Sequence, residues 1–245
     1  MELQKYSFGV GDRFGMEGKA QLAAVQKAKE MGVEVTPVWN KSHREHETVG
    51  TKPESVRKEA DEAVKTLSYQ GRYFVDADHI NKENVDNFIP FSDFFTIDVA
   101  KYIGSQADEA EKKKFLEYIE KYRKELGIEG IGNKEISASE LDEILDTFLF
   151  AMKKAGEIYH YIKSQKKEDF LVEVSIDEVE NPQSPVELFF ILAALSFYEV
   201  PVTTIAPKFT GRFSKGVDYE GDLQQFEKEF EEDLLVIRYA VQEFS

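Results

Sequence analysis

Strand-like and helix-like segments alternate along most of this sequence, and that alternation constrains the fold more than any other feature. Short apolar runs rich in β-branched and aromatic residues lie near 6–11, 33–39, 72–80, 94–99, 170–175 and 200–206. A segment with helical periodicity follows most of these runs, and this alternation is typical of parallel β/α units. We therefore predict an α/β fold of the (β/α)8 TIM-barrel type, with about six of the eight β/α units present.

The alternation is interrupted between residues 105 and 167. This stretch is heavily charged and reads as helical, with apolar residues at helical spacing, and it is longer than an ordinary connection between a strand and a helix. We predict a helical insertion after the fourth strand, over 105–167. The partial barrel is then formed by residues 1–104 and 168–245.

Composition excludes several classes of partner. The formal net charge of −16 argues against binding to nucleic acid and against a basic helix lying on a membrane surface. The chain contains no cysteine, so a disulfide framework, a thiolate nucleophile and a cysteine-based zinc site are all excluded. No apolar segment reads as a signal or a membrane span, and we expect a cytoplasmic protein.

The third predicted strand ends in an unusual group of polar residues. Asp76 and Asp78 share one side by the two-residue period, and His79 follows where the strand opens into a loop. Buried strands rarely end this way because unpaired charge is costly to desolvate. The residues suit a metal site or acid–base chemistry at the carboxyl end of a parallel strand. The alternative is a capping turn, which requires one aspartate and explains neither Asp76 nor the imidazole.

Further acids and cations follow other strands. Glu173 lies among apolar neighbours within the fifth strand, and Asp98 lies near the end of the fourth. A carboxyl group in such surroundings is a candidate proton donor, although a core glutamate paired with a cation such as Lys208 is equally consistent. Asp76 and Asp98 are additional candidates for a metal ligand or an acid group. The candidate contacts for an anionic substrate are Lys41, Arg44, Lys208 and Arg212; each of them is otherwise a surface charge.

Two apparent motifs fail on inspection. The glycine-rich turn at 9–15 has Phe14 where a dinucleotide-binding fingerprint requires its third glycine, so it predicts a tight turn or a close approach to a ligand. The segment His43 to His46 lacks the H-E-x-x-H spacing and is predicted to lie in a loop, which argues against a metal-binding helix.

Four separated motifs nevertheless resemble one family, the tagaturonate/fructuronate epimerases of bacterial hexuronate catabolism. They are Tyr6–Gly15, Thr36–Ser42, Tyr73–Ile80 and Ala206–Phe213. The resemblance covers essentially the whole chain, which corresponds to the N-terminal half to two-thirds of the family's length. It implies a divalent-metal-dependent isomerase that interconverts D-tagaturonate and D-fructuronate. It makes Asp78 the proton acceptor, His79 a metal ligand and Glu173 the proton donor.

Two other hypotheses remain open at this point. A class II-type sugar-acid aldolase uses similar metal and acid groups, and carbon–carbon cleavage distinguishes it from an epimerase. The other hypothesis is a noncatalytic module that requires a complementing chain, since an open sheet exposes its edges. The expected partners are an anionic sugar acid and either further copies of the chain or a complementing chain.

Overall fold

The computed structural model describes residues 1–214 and 217–244, and its secondary structure follows the predicted alternation. The strands are β1 (Ser7–Val10), β2 (Thr36–Ser42), β3 (Phe74–Ile80), β4 (Phe94–Asp98), β5 (Glu125–Ile128), β6 (Gly132–Glu135), β7 (Leu171–Ser175) and β8 (Thr204–Ala206). The α-helices are α1 (Gly18–Glu30), α2 (His43–Val49), α3 (Glu54–Thr66), α4 (Glu109–Tyr118), α5 (Ala138–Gln165), α6 (Pro185–Phe197) and α7 (Leu223–Phe244).

One sheet contains six of the strands in the order β1-β2-β3-β4-β7-β8. The first four are paired in parallel, and Ser7 pairs with Thr36 at the start of the register. The hydrogen bonds from Leu171 N to Asp93 O and from Val99 N to Ser175 O continue the parallel arrangement to β7. Sequential parallel strands joined through helices confirm the predicted α/β class, with six strands of a barrel-type sheet among the described residues.

The two faces of this sheet carry different side chains. The helix face is an apolar layer between the strands and helices α1 and α3, formed by Val10, Leu22, Trp39, Val56, Ala60, Ala63 and Val75. The opposite face, which we call the carboxylate face, begins with a second apolar layer of Val38, Phe74, Phe94 and Leu171. Because side chains alternate along a strand, the positions two and four residues beyond this layer lie on the same face, closer to the carboxyl ends of the strands.

Helix α2 corrects the prediction of a loop at 43–46. Ser42 at the end of β2 accepts a hydrogen bond from the backbone N–H of Glu45, and the Glu45 side chain accepts one from the Ser42 N–H. This reciprocal capping starts a helix directly from the strand, and Gly50 ends it in the left-handed conformation, with φ 69°. The helix was missed because the second strand was expected to end at Trp39, three residues before the cap.

The described chain divides into two compact units. The first contains residues 1–98, 158–174 and 202–204, and the second contains 99–157, 175–201 and 205–245. In the second unit, β5 and β6 form an antiparallel hairpin inside the stretch predicted to be entirely helical. All four residues of β6 are exposed, so no burial pattern marks this strand in the sequence.

None of the helices in the described part of the chain has both the length and the apolar character required to cross a bilayer.

Candidate active site

Asp76 lies at the centre of a group of carboxyl groups on the carboxylate face. Its side chain is 7% exposed and accepts two hydrogen bonds from Thr96, at 3.1 Å from the backbone N–H and 2.9 Å from the hydroxyl. Burial raises the pKa of Asp76 well above its usual value, and the negative charges of Asp78 and Glu173 raise it further. The structure therefore brings these three predicted acids within electrostatic reach of one another.

A bulge at the end of β3 sets the positions of Asp78 and His79. The register with β4 shifts between Ala77 and Ile80, and His79 adopts a positive φ of 51°. Such bulges redirect side chains at strand ends. The His79 ring consequently lies between two acids, with Nε2 3.7 Å from Asp78 Oδ1 and Nδ1 3.8 Å from Asp98 Oδ2. The bulge thus joins the ends of β3 and β4 into one polar cluster.

Glu173 approaches this cluster from β7. It lies two residues beyond Leu171, whose side chain belongs to the apolar layer of the same face. The hydroxyl of Thr204 donates a hydrogen bond to Glu173 Oε2 at 2.6 Å. In the sheet order one strand, β4, separates β7 from β3, which puts the backbones that carry Glu173 and Asp78 roughly 10 Å apart.

Lys41 occupies the other face of the sheet. It lies two residues beyond Trp39 of the helix-face core and is 2% exposed. Burial raises the pKa of Glu59 on α3, and the positive charge of Lys41 opposes part of that rise. Burial also lowers the pKa of His46 on α2, and the charge of Lys41 lowers it in the same direction. The structure therefore does not bring Lys41 to the face that carries Asp76.

The other predicted cations lie in different surroundings. Arg44 is exposed on α2, which starts from the carboxyl end of β2. Lys208 and Arg212 belong to the second compact unit, where Lys208 N donates to Gln183 Oε1 at 2.9 Å and the backbone of Arg212 pairs with that of Glu220. Their role in binding a substrate remains a prediction.

The glycine-rich segment after β1 forms a turn stabilised by Asp12. The Asp12 carboxylate accepts hydrogen bonds from four consecutive backbone N–H groups, those of residues 14–17. Gly15 adopts a φ of 68°, and a side chain at Gly11 would collide with the backbone carbonyl of Asn40. The glycines therefore serve a tight turn that packs against the end of β2.

Sequence reasoning missed the two threonines that position the acids. Thr96 and Thr204 each donate a hydroxyl hydrogen bond to a carboxyl group on a neighbouring strand, to Asp76 and Glu173 respectively. Thr96 lies two residues after Phe94 and two before Asp98, on the carboxylate face, so strand alternation alone could have identified it. Thr204 could not be identified in that way because the start of its strand was expected near Val200.

The donors of this site do not complete a metal centre. Within 1–214 and 217–244, no three His, Cys, Asp or Glu side chains are grouped so that they could hold a metal ion. Catalytic metal sites usually use three protein ligands. The described side chains therefore do not by themselves fit a resident metal, and no chemical step below is assigned to one.

Parallel β/α units with acids gathered at the carboxyl ends of their strands define an α/β enzyme of the barrel class. Comparison with known proteins identifies the family. The model of the tagaturonate epimerase family, UxaE, matches residues 1–242. The chain belongs to this family, whose members are isomerases.

Individual relatives agree with this assignment. The tagaturonate/fructuronate epimerase of Thermotoga maritima is 32% identical over 235 residues, which cover 91% of this chain and 48% of the relative. The fructuronate-tagaturonate epimerase UxaE of Cohnella laeviribosi with one bound glycerol has a TM-score of 0.83 and 27% identity, covering 98% of this chain and 51% of that one. The native structure of the same enzyme gives a TM-score of 0.78 at the same identity and coverage. The chain thus spans about half the length of the relatives it matches.

Proposed function

We propose that this chain carries the acid–base groups of an epimerase that interconverts D-tagaturonate and D-fructuronate. The observation that carries the proposal is the convergence of Asp78 and Glu173 on Asp76, on one face of a sheet that belongs to the tagaturonate epimerase family. D-tagaturonate and D-fructuronate differ at a carbon two bonds from the ketone carbon. Its inversion requires the adjacent C–C bond to break and form again, with a proton removed from a hydroxyl group and returned to an alkoxide, and two acids on different strands suit that requirement.

In the proposed reaction, the substrate is an open-chain keto-hexuronate lying between β3 and β7. The Asp78 carboxylate removes the proton of the hydroxyl group on the carbon to be inverted. That carbon becomes an aldehyde as its bond to the carbon next to the ketone breaks, and the electron pair of the broken C–C bond moves into the ketone as an enolate. After the aldehyde has turned its other face to the enolate, the C–C bond forms again, and Glu173, in its carboxylic acid form, protonates the new alkoxide. Asp78 then holds a proton and Glu173 is ionised, and exchange with water restores both groups.

The surrounding side chains position these two acids. Thr204 fixes one oxygen of Glu173, and the Asp98–His79–Asp78 contacts hold the imidazole beside the proposed base. Burial raises the pKa of Asp76, which favours its uncharged form, and that form repels the neighbouring acids less than a carboxylate would. These contacts support a preorganised acid–base pair.

The substrate also carries a carboxylate group, which a positively charged side chain can bind. We propose that its carboxylate is bound by cations near strand ends, for which Arg44, Lys208 and Arg212 are the candidates.

The family resemblance also implies a divalent metal with His79 as one ligand. A calorimetric titration of the purified chain with Mn²⁺ and Zn²⁺, repeated on His79→Gln, tests that implication without depending on turnover.

The acid and base roles predict different defects. With tagaturonate as the substrate, nuclear magnetic resonance reports epimerisation, and consumption of added hexacyanoferrate(III), which oxidises enediolates, reports cleavage of the C–C bond. Asp78→Asn should abolish both, because no proton is removed. Glu173→Gln should abolish epimerisation yet keep the consumption of hexacyanoferrate(III), because the bond still breaks and forms again on the Asp78 side. Each loss is expected to be at least about 100-fold, as for other positioned acid–base groups.

The exposed Asp61→Asn serves as the control variant, and thermal unfolding of all variants checks that they remain folded. An Asp78→Asn variant that still forms the oxidisable enediolate would overturn the proposed base. A parent chain that shows neither enediolate oxidation nor epimerisation would contradict the proposal for this chain by itself. The appearance of cleavage products in the same spectra would identify an aldolase instead.

A further inference from the structure

The carboxylate face carries polar side chains directly beyond its apolar layer. Each of β2, β3, β4 and β7 contributes one residue to that apolar layer. Two residues further along the same four strands, still on the carboxylate face, lie the members of what we call the polar layer: Asn40, Asp76, Thr96 and Glu173. In the register of β2 with β3, Asn40 pairs directly with Asp76. Asn40 therefore lies beside the candidate acids.

The members of the polar layer differ in how their hydrogen bonds are satisfied. Both oxygens of Asp76 accept hydrogen bonds from Thr96, and Glu173 accepts one from Thr204. The side chain of Asn40, by contrast, forms no hydrogen bond with any residue of 1–214 or 217–244, and it is only half-buried. Its amide group therefore keeps its hydrogen-bonding capacity for a ligand.

Two glycines leave space beside this amide group. Because Val10 belongs to the helix-face core, Gly9 and Gly11 lie on the carboxylate face. A Cβ atom at Gly9 would lie 3.8 Å from Asn40 Nδ2, an ordinary contact, and within 4 Å it would meet no other neighbour in the described chain. A Cβ atom at Gly11 would lie 2.5 Å from Asn40 Oδ1, which is too close. Both polar atoms of the amide thus lie against chain positions that carry no side chain.

The chemistry of an amide group suits a hydroxyl group of the substrate. Nδ2 donates hydrogen bonds and Oδ1 accepts them, and a hydroxyl group can accept from the first while it donates to the second. A substrate carboxylate is a poorer partner for Asn40 because it can only accept. The negative charge of Asp78, two residues beyond Asp76 on the adjacent strand, would also repel a carboxylate at this position.

We propose that Asn40 binds a hydroxyl group of the open-chain sugar acid, and that Gly9 leaves the space which this group occupies. The proposal rests on the proposed keto-hexuronate substrate. It does not rest on the acid–base roles of Asp78 and Glu173, because an amide group holds the substrate without taking up or releasing a proton.

The test is a calorimetric titration with D-tagaturonate of a chain that carries Asp78→Asn and is expected not to convert the substrate. Adding Asn40→Leu keeps a side chain of similar size and removes the amide group, so it should weaken binding roughly 10- to 100-fold. The amide has no partner in the described protein, so the same change should leave the thermal unfolding temperature unchanged or raise it. The exposed Asn133→Leu on β6 is the matched control for the loss of an amide group.

Gly9→Ala tests the same site without altering Asn40. Its methyl group fits the fold at 3.8 Å from the amide but occupies the proposed position of the hydroxyl group, so binding should weaken about tenfold. Thermal unfolding should again be unchanged. A substitution that acts only through the packing of Asn40 would not produce this second loss of affinity.

Unchanged affinity in Asn40→Leu would overturn the proposal, and so would a comparison chain that does not bind tagaturonate. Weaker binding in Asn40→Leu together with a lower unfolding temperature and full affinity in Gly9→Ala would show a structural role, which also overturns it. Epimerisation by the Asp78 and Glu173 variants is measured separately. A failed acid–base assignment therefore leaves the binding result interpretable, and a failed binding result leaves the acid–base assignment to its own assay.

Discussion

His46 shows how a single buried residue can couple stability to pH. It is 3% exposed, and its Nδ1 lies 2.9 Å from the hydroxyl of Thr51. Burial, together with the charges of Lys41 and His43, lowers the pKa of His46 from 6.5 to about 4. The imidazole is therefore neutral in the folded protein at pH values where the unfolded chain is protonated.

We predict that the free energy of unfolding falls as the pH is lowered from about 6.5 to about 4, by on the order of 3 kcal/mol from this residue alone. The sign follows because the unfolded state binds the proton first. Chemical denaturation of the parent and of His46→Gln measures the effect, since the variant should lose this part of the pH dependence. Lys41→Met should raise the pKa of His46 in a nuclear magnetic resonance titration. An identical pH dependence in the parent and His46→Gln would contradict the prediction.

The structure places Lys41 away from the face that carries Asp76 for a local reason. With the second strand expected to end at Trp39, Lys41 fell in a loop and was free to face a substrate. The strand in fact continues to Ser42, so the two-residue period carries Lys41 to the helix face with Trp39. The predicted orientation of Lys41 therefore depended on where the second strand was expected to end, and sequence patterns locate strand ends poorly.

At the scale of elements, the side-chain alternation of strand β3 was well predicted from the sequence, whereas the bulge at its end was not predicted. The period of two placed Asp76 and Asp78 on one side, and the structure confirms that they act on each other electrostatically. The position of His79 depends on the register shift and a φ of 51°, which no sequence pattern in β3 announces. The acids of the candidate site were thus accessible from sequence, whereas the contacts of the imidazole were not.

Helix α7 buries a different face from the one its sequence suggests. Its largest apolar residues include Leu223, Phe230, Leu234 and Val241, which are exposed. The buried positions are Asp233, Val236 and Ala240. Burial, together with the negative charges of Glu229 and Glu232, raises the pKa of Asp233 to about 7.

This buried acid predicts a stabilising substitution. A raised pKa means that the folded state holds the Asp233 proton more tightly, so this contribution to stability is lost as the pH rises from about 4 through about 7. Asp233→Asn should therefore increase the free energy of unfolding at pH 8 by roughly 2–4 kcal/mol and change it little at pH 4. Denaturant unfolding at both pH values provides the measurement, with the exposed Glu231→Gln as the control. Destabilisation at pH 8 would show that the carboxylate has a favourable partner in the folded protein.

At the scale of the whole molecule, the order of strands and helices was sufficient to predict the fold class. The family resemblance, carried by four motifs, is confirmed by the match over residues 1–242. The β5–β6 hairpin was missed because its strands are four residues each and β6 has no buried side chain. Long periodic elements are thus specified by burial patterns, whereas short exposed ones depend on tertiary contacts that a sequence does not display.

The charge of the whole chain leads to a final prediction. A formal net charge of −16 at pH 7 makes the folded state repel itself, because folding brings the acids closer together than they are in the unfolded chain. Raising sodium chloride from 0.02 to 0.3 M, concentrations chosen to shorten the Debye length from roughly 20 Å to below 10 Å, should therefore raise the melting temperature by roughly 2–5 °C at pH 7. The same change of salt at pH 4.8, the isoelectric point of the sequence, should have little effect, because the net repulsion is absent there. Calorimetry at the two pH values measures the change in melting temperature with salt. A melting temperature that falls with salt at pH 7 would mean that the attraction within surface ion pairs, such as Lys29–Glu34 at 2.7 Å, outweighs the net repulsion.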